Sequence, residues 1–280
     1  MGLPMAKNLL KKSYALQCFD LNKNALLEIE KIGGIPCSSA VEVANGVDVL
    51  VLMVVNASQA EQVLISDAAL DALPPNSTVC LMATCPPGAV ERLAAIVTNA
   101  GHRFVDAPVS GGTAGAIAGS LTVMAACEKH SFESIKPILE AMGERIFHVG
   151  TKPGQGAMVK TVNQLLCGVH IAVVAEAFSL AAKVGVDLNI LLEIMSGSSA
   201  SSWMLKDRGP RMVQDNPDVS SAVDIFVKDL GIVLETGRET KAALPIAAVA
   251  HQMFLATSGR GDGRADDSQV IRSYSALNAG

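Results

Sequence analysis

Residues 47–55 read VDVLVLMVV, eight apolar side chains around a single aspartate. A run this short and this continuously apolar suits a strand covered on both faces, and such a strand needs helices above and below it. The flanking sequence supplies them. Up to residue 149, strand-like segments (16–21, 47–55, 78–83, 103–106, 121–126 and 145–149) alternate with helical ones (2–11, 24–32, 59–64, 88–100 and 132–142). That alternation predicts a parallel, doubly wound α/β sheet. Pro4 falls in the first turn of the opening helix, where its missing N–H does no harm, and Gly33-Gly34 stops the second helix.

The strand signal ends at Val149–Gly150, and the pattern beyond is helical: 156–184, 189–195, 203–213, 225–240, 245–258 and 266–274. The expected organisation is an α/β domain over residues 1–149 and an all-α domain over 150–280, and 280 residues fit about two domains. Half the residues are hydrophobic and 18% are charged, which excludes a disordered chain. The net charge is 22 − 27 = −5 with no Lys/Arg block, so no nucleic-acid partner is expected. The most apolar window, 165–182, contains His170 and Glu176. An acid near mid-bilayer costs about 2–3 kcal/mol, so this window reads as a buried helix and no membrane partner is expected. Residues 1–10 read as helix rather than as a signal peptide. The six cysteines are scattered without a C-x-x-C pair, which points to a reducing, cytoplasmic setting. The five histidines lack metal-ligand spacing, and no metal is expected.

Several residues suggest chemistry. Asp20 lies 18 positions after Gly2, at the end of the 16–21 segment. In a βαβ dinucleotide-binding unit, an acid about 20 residues beyond the glycine loop accepts the ribose hydroxyls and repels a 2′-phosphate. The same acid also suits a helix N-cap. Gly2 is the one glycine present of a possible G-x-G-x-x-G, and no strand precedes it. The expectation is therefore a first domain without its first strand or most of its phosphate loop. Ser110, Gly111 and Gly112 can offer a hydroxyl and backbone N–H groups to a carboxylate, or can form an ordinary turn after Asp106. Lys160 stands near the start of an almost charge-free helix, with Asn163 and Gln164 on its side. A lysine there snorkels to solvent or is held in a cleft, and the flanking amides favour the cleft. His170 reads as a core histidine. Val54 and Val55 end a strand at its carboxyl edge, where such sheets bind ligands. Thr84 and Lys228 suit plain structural roles as well as functional ones, and Cys85 has no basic neighbour to activate it.

Together these segments resemble the β-hydroxyacid dehydrogenases, the family of 3-hydroxyisobutyrate dehydrogenase. Met1-Gly2-Leu3-Pro4-Met5-Ala6-Lys7-Asn8-Leu9 is similar to the tail of its glycine motif. Asp106-Ala-Pro-Val-Ser110-Gly111-Gly112 resembles its substrate motif, and Gly154-x-Gly156-x-x-x-Lys160-x-x-Asn163 its catalytic helix. Ala83-Thr84-Cys85-Pro86-Pro87 resembles its cofactor turn, and Lys228-Asp229-Leu230 its late cofactor-side motif. Val55 stands where the family more usually has proline.

The resemblance implies a Rossmann-like N-terminal domain for NAD, of the 6-phosphogluconate dehydrogenase type, and an all-α substrate and dimerisation domain. It makes Lys160 the general acid/base, a role that calls for a pKa drawn towards about 7–8. It assigns Ser110, Gly111, Gly112 and Asn163 to the substrate, and Gly2, Asp20, Val54, Val55, Thr84 and Lys228 to the cofactor. Asn163-Gln164-Leu165-Leu166, residues 222–230 and 251–255, and Asp266-Asp267-Ser268 resemble one branch of the family. That branch oxidises four-carbon sugar acids such as L-threonate at the C2 hydroxyl with NAD. Two other readings stand beside it: NADPH-dependent reduction of small aldehydes, against which Asp20 speaks, and a truncated or fragmentary, non-catalytic assembly subunit. The long apolar helix leads us to expect a homodimer or homotetramer.

Overall fold

The structure, a computed structural model, describes residues 1–278. Contacts divide it into two units, Met1–Lys160 and Thr161 onward. In the first unit, helix α1 (Gly2–Lys11) precedes β1 (Gln17–Cys18), α2 (Lys23–Glu30), β2 (Ile35–Pro36), α3 (Ala40–Ala44) and β3 (Val49–Leu52). Then come α4 (Ala57–Glu61) with a π-turn over Gln62–Ser66, α5 (Ala69–Ala72), β4 (Thr78–Leu81), α6 (Pro87–Asn99) and β5 (Arg103–Asp106). The last are β6 (Val109–Ser110), α7 (Gly112–Ala118), β7 (Leu121–Ala126), α8 (Lys129–Met142) and β8 (Gly143–Gly150).

Two departures from the sequence expectation concern the sheet. It is in two pieces, with β1 paired to β2, and β3-β4-β5-β7-β6 forming a second sheet that β8 joins through β7. Strands β3, β4 and β5 run parallel, but β7 is antiparallel to both β5 and β6. The expected all-parallel arrangement thus holds for β3, β4 and β5 and gives way to a mixed one at β7. The second departure is length. The 47–55 run becomes a strand over Val49–Leu52 alone, and the 16–21 strand shrinks to Gln17–Cys18.

β4 shows why the sheet is covered on both faces. Val79 and Leu81 pack with Leu50, Leu52, Val90, Leu93 and Val97, while Cys80 and Met82 pack with Met5, Leu9, Val105, Ile135 and Leu139. Alternate side chains of one strand therefore feed two separate cores. Local caps set several helix starts. Asn22, Ser39 and Asn56 each accept a hydrogen bond from a backbone N–H two or three residues on, and Pro87 opens α6.

Helix α9 (Gln155–Lys183) leads out of the first unit into the second, followed by α10 (Leu188–Gly197), α11 (Trp203–Met212), α12 (Val223–Thr240), α13 (Pro245–Thr257) and α14 (Ile271–Asn278). The core of the second unit gathers Ile171, Phe178, Leu230 and Tyr274 around stacked Phe226 and Phe254. At Gly168 a Cβ would come within 2.8 Å of the Leu230 side chain, so glycine there lets α9 and α12 approach closely. The Asp266-Asp267 segment is tied to α11 by ion pairs. Arg208 binds Asp267 in bidentate fashion (2.9 and 2.8 Å) and Arg211 binds Asp266 (3.0 Å). Among the described residues α9 is the one helix long and apolar enough to cross a membrane, and half of its most apolar window is buried within the protein.

Candidate functional site

Start with the carboxyl ends of β1, β3 and β4. Asp20 stands two residues beyond the end of β1, exposed, with its Oδ1 accepting from the Asn22 N–H (2.8 Å). The strand stops short of the aspartate, so Asp20 lies in a turn rather than at a strand end. After β3, Val54 is half-buried and Val55 is exposed. The Val55 N–H donates to Gln59 Oε1 (2.8 Å) while Asn56 caps α4, which fixes this edge. Thr84 is half-buried between β4 and α6. Gly2 opens α1, whose first turn has no side-chain cap and no acidic residue. A Cβ at Gly2 would meet Met53 Cβ at 3.9 Å, ordinary contact.

These features fit a dinucleotide. An uncapped helix start offers N–H groups to a phosphate. An exposed carboxylate suits ribose hydroxyls. Leu21, 90% exposed, and Val55 are exposed apolar side chains that follow β1 and β3.

The segment after Asp106 holds elements the sequence did not predict, β6 and α7. Ser110 ends the short strand β6, paired with Thr122 of β7, and is half-buried. Gly111 and Gly112 have φ of +126° and +61°, left-handed values that glycine adopts without strain. They turn the chain sharply from β6 into α7.

Lys160 lies in the second turn of α9 and is 6% exposed. The start of that helix is held from a distance. Asp106, the last residue of β5 and 1% exposed, accepts from the Gly154 and Ala157 N–H groups, both at 2.9 Å, and from Gly156. Burial outweighs the opposing pull of the three N–H donors and leaves the Asp106 carboxyl at about 6. The glycines of Gly154-x-Gly156 follow from this docking. A Cβ at Gly156 would lie 2.5 Å from the Met124 carbonyl oxygen and 2.8 Å from that of Asp106. Asp106 was read from the sequence as a strand end. Its capping role spans 48 residues, and the available signal was an acid at a strand end together with two glycines at a helix start.

In the second unit, Asn163 is half-buried and Gln164 is buried. Gln164 Nε2 donates to Asp229 Oδ2, while Lys228 Nζ lies 2.9 Å from Asp229 Oδ1. Lys228 is thus half-buried and ion-paired to its neighbour. Asp229, 2% exposed, is a second group the sequence reading passed over. His170 is half-buried in α9. A depression of about 640 Å³ between α6 and the start of α9 is lined by Pro87, Glu91, Lys152, Gly154 and Met158 among others, and not by Lys160, Asn163, Ser110, Thr84 or Lys228.

Comparison with known proteins identifies the family. The family model for the NAD binding domain of 6-phosphogluconate dehydrogenase matches residues 1–150. The model for the NAD-binding domain of NADP-dependent 3-hydroxyisobutyrate dehydrogenase matches residues 154–274. L-threonate dehydrogenase of Cupriavidus necator is 40% identical over 275 residues, covering 98% of this chain and 93% of that protein. NAD-dependent L-serine dehydrogenase of Pseudomonas aeruginosa is 33% identical over 282 residues, covering 98% of this chain and 94% of that protein. The crystal structure of 3-hydroxyisobutyrate dehydrogenase from Salmonella typhimurium superposes with a TM-score of 0.93 at 37% identity, covering 97% of this chain and 95% of that one. With both family models matched in order, and with relatives of this identity spanning nearly its whole length, the chain belongs to the β-hydroxyacid dehydrogenases, NAD-dependent enzymes with a Rossmann-like domain followed by an all-helical one.

Proposed function

We propose that the chain oxidises L-threonate, or a hydroxy acid close to it, at the C2 hydroxyl to give 2-dehydro-L-erythronate, with Lys160 as general acid/base. The observation that carries this reading is Lys160 itself, a buried lysine on an apolar helix. Lysine is almost never fully buried without a partner or a task. Lys160 Nζ takes the hydroxyl proton, leaving a carbonyl at C2. Bound NAD supplies the carbon that accepts the hydride. The Ser110 hydroxyl, the backbone of Gly111 and Gly112 and the Asn163 amide hold the carboxylate and the remaining hydroxyls. Gly2, Val54, Val55, Thr84 and Lys228 contact the dinucleotide. Asp20 accepts from the adenosine ribose and turns away a 2′-phosphate, which favours NAD over NADP.

We assign the protein to the cytoplasm, a reading that the free state of its six cysteines supports. We also propose a homodimer or homotetramer. The support is a row of exposed apolar side chains, Val162, Leu166, Val173 and Leu180, at helical spacing along one side of α9. Light scattering at monomer mass would remove the oligomer.

The function is tested by following NADH absorbance with a panel of hydroxy acids that includes L-threonate, L-serine and 3-hydroxyisobutyrate. L-threonate with NAD should give the highest kcat/KM. A clear preference for NADP, or turnover of L-serine alone, overturns the assignment.

A further inference from the structure

The start of α9 is finished differently from other helices of this chain. Asn22, Ser39, Asn56, Asp187 and Ser202 each cap the helix they immediately precede, reaching two or three residues along their own chain. Such a cap completes a helix end but says nothing about where the helix stands. The cap of α9 comes from Asp106, 48 residues earlier on β5. It takes the N–H groups of Gly154, Gly156 and Ala157 at once. The backbone around it is closed to any side chain at Gly156. Four residues after Asp106 comes Ser110, and three residues after Ala157 comes Lys160.

We propose that Asp106 is a positioning residue for the dehydrogenase reaction: its buried carboxylate locks the helix carrying Lys160 to the strand segment that leads to Ser110. The inference rests on Lys160 being the base. A second observation bears on it. A carboxyl pushed up to about 6 by burial is an expensive cap where a hydroxyl or amide could serve. The groups around it are few. Cys80 on β4 and Cys127 beyond β7 both face it and are both held neutral, their thiols pushed up by burial. Glu91 of α6 lies against Gly154, and Lys160 stands one turn along α9.

The test compares Asp106→Ala, Asp106→Asn and Lys160→Ala in the full chain. It reads steady-state kinetics in both directions, NAD affinity, and hydrogen exchange at the Gly154 and Ala157 amides. Asp106→Ala should speed exchange at both amides and lower kcat about 10- to 100-fold, the scale of a small misplacement of a reacting group. KM and NAD affinity should change little. Asp106→Asn keeps one acceptor oxygen and should recover most of kcat. Faster exchange with unchanged kcat in Asp106→Ala overturns the proposal, and so does an Asp106→Asn variant no more active than Asp106→Ala. Turnover by Lys160→Ala removes the base assignment and this inference with it. An inactive Lys160→Ala beside a fully active Asp106→Ala removes the inference alone.

Discussion

Helices α1 and α9 both carry glycine in their first turn, Gly2 at the first residue of α1 and Gly156 at the second of α9, and these turns are finished differently. At α1 no side chain caps the turn, and a methyl group on Gly2 would touch Met53 at ordinary contact distance. At α9 the N–H groups of Gly154, Gly156 and Ala157 are all taken by Asp106, and a methyl group on Gly156 would collide with two carbonyl oxygens. The same residue type therefore serves two ends. At Gly2 of α1 the space beside the glycine would take a methyl group. In α9 it lets the protein's own backbone and carboxylate come close enough to close the helix start.

The largest effect expected from breaking this contrast is at the group the closed turn supports. Lys160→Ala should lower kcat by about 10²- to 10⁴-fold, the usual contribution of a positioned acid/base, with NAD affinity little changed. Fluorescence titration together with initial rates checks both halves. Next comes Gly156→Ala. Main-chain atoms of β5 and β7 cannot step aside as a flexible side chain can. A loss of about 1–3 kcal/mol of stability is expected in urea unfolding, the cost of overpacking. A melting curve indistinguishable from wild type would show that α9 can lift off β5 freely.

Part of this was legible in the sequence and part was not. Arg103–Asp106 and Leu121–Ala126 fold as strands over the residues the pattern marks: the second is an almost wholly apolar run, and the first sets Phe104-Val105 between two charged ends. Strands β2 and β6 are two residues long, too short for any periodicity to register. Helix α7, rich in glycine and alanine, has no apolar stripe to announce it. Strand direction is also invisible to periodicity, since an alternating or apolar run reads alike either way; hence the antiparallel β7 was not foreseen. Motif positions such as Lys160 and Ser110 could be found from local pattern and resemblance. The Asp106 cap and the Gln164–Asp229 bond could not, because each joins residues 48 or more positions apart.

The closed turn also carries a pH signature. Asp106 ionises at about 6 when folded against 3.8 as a free side chain, so the folded state holds this proton more tightly than the unfolded one. Its contribution to stability is then most favourable below about pH 4 and is lost as the pH rises through about 6. Asp106→Asn cannot ionise. Its stability relative to wild type should rise by on the order of 1–3 kcal/mol between about pH 4 and pH 7. Urea unfolding at the two pH values reads the difference, and a difference of the opposite sign would mean that the three N–H donors outweigh the burial.

The open side of the comparison predicts smaller effects. Asp20 is exposed and bonded only within its own turn, so Asp20→Asn should leave folding intact. Removing the charge should narrow the preference for NAD over NADP by about tenfold, because repulsion of the 2′-phosphate is lost while an acceptor for the ribose remains. Competition kinetics with the two cofactors measures it. Gly2→Ala is the sharpest complement to Gly156→Ala, since its expected effect on stability is the smallest. The added methyl meets one side-chain atom at 3.9 Å, so stability should stay within about 0.5 kcal/mol of wild type. Any effect should then fall on dinucleotide affinity, where a methyl group at an open helix start stands in the way of a phosphate. If Gly2→Ala instead unfolds the protein as readily as Gly156→Ala does, the start of α1 is as closely packed as that of α9, and the distinction between an open and a closed glycine turn is lost.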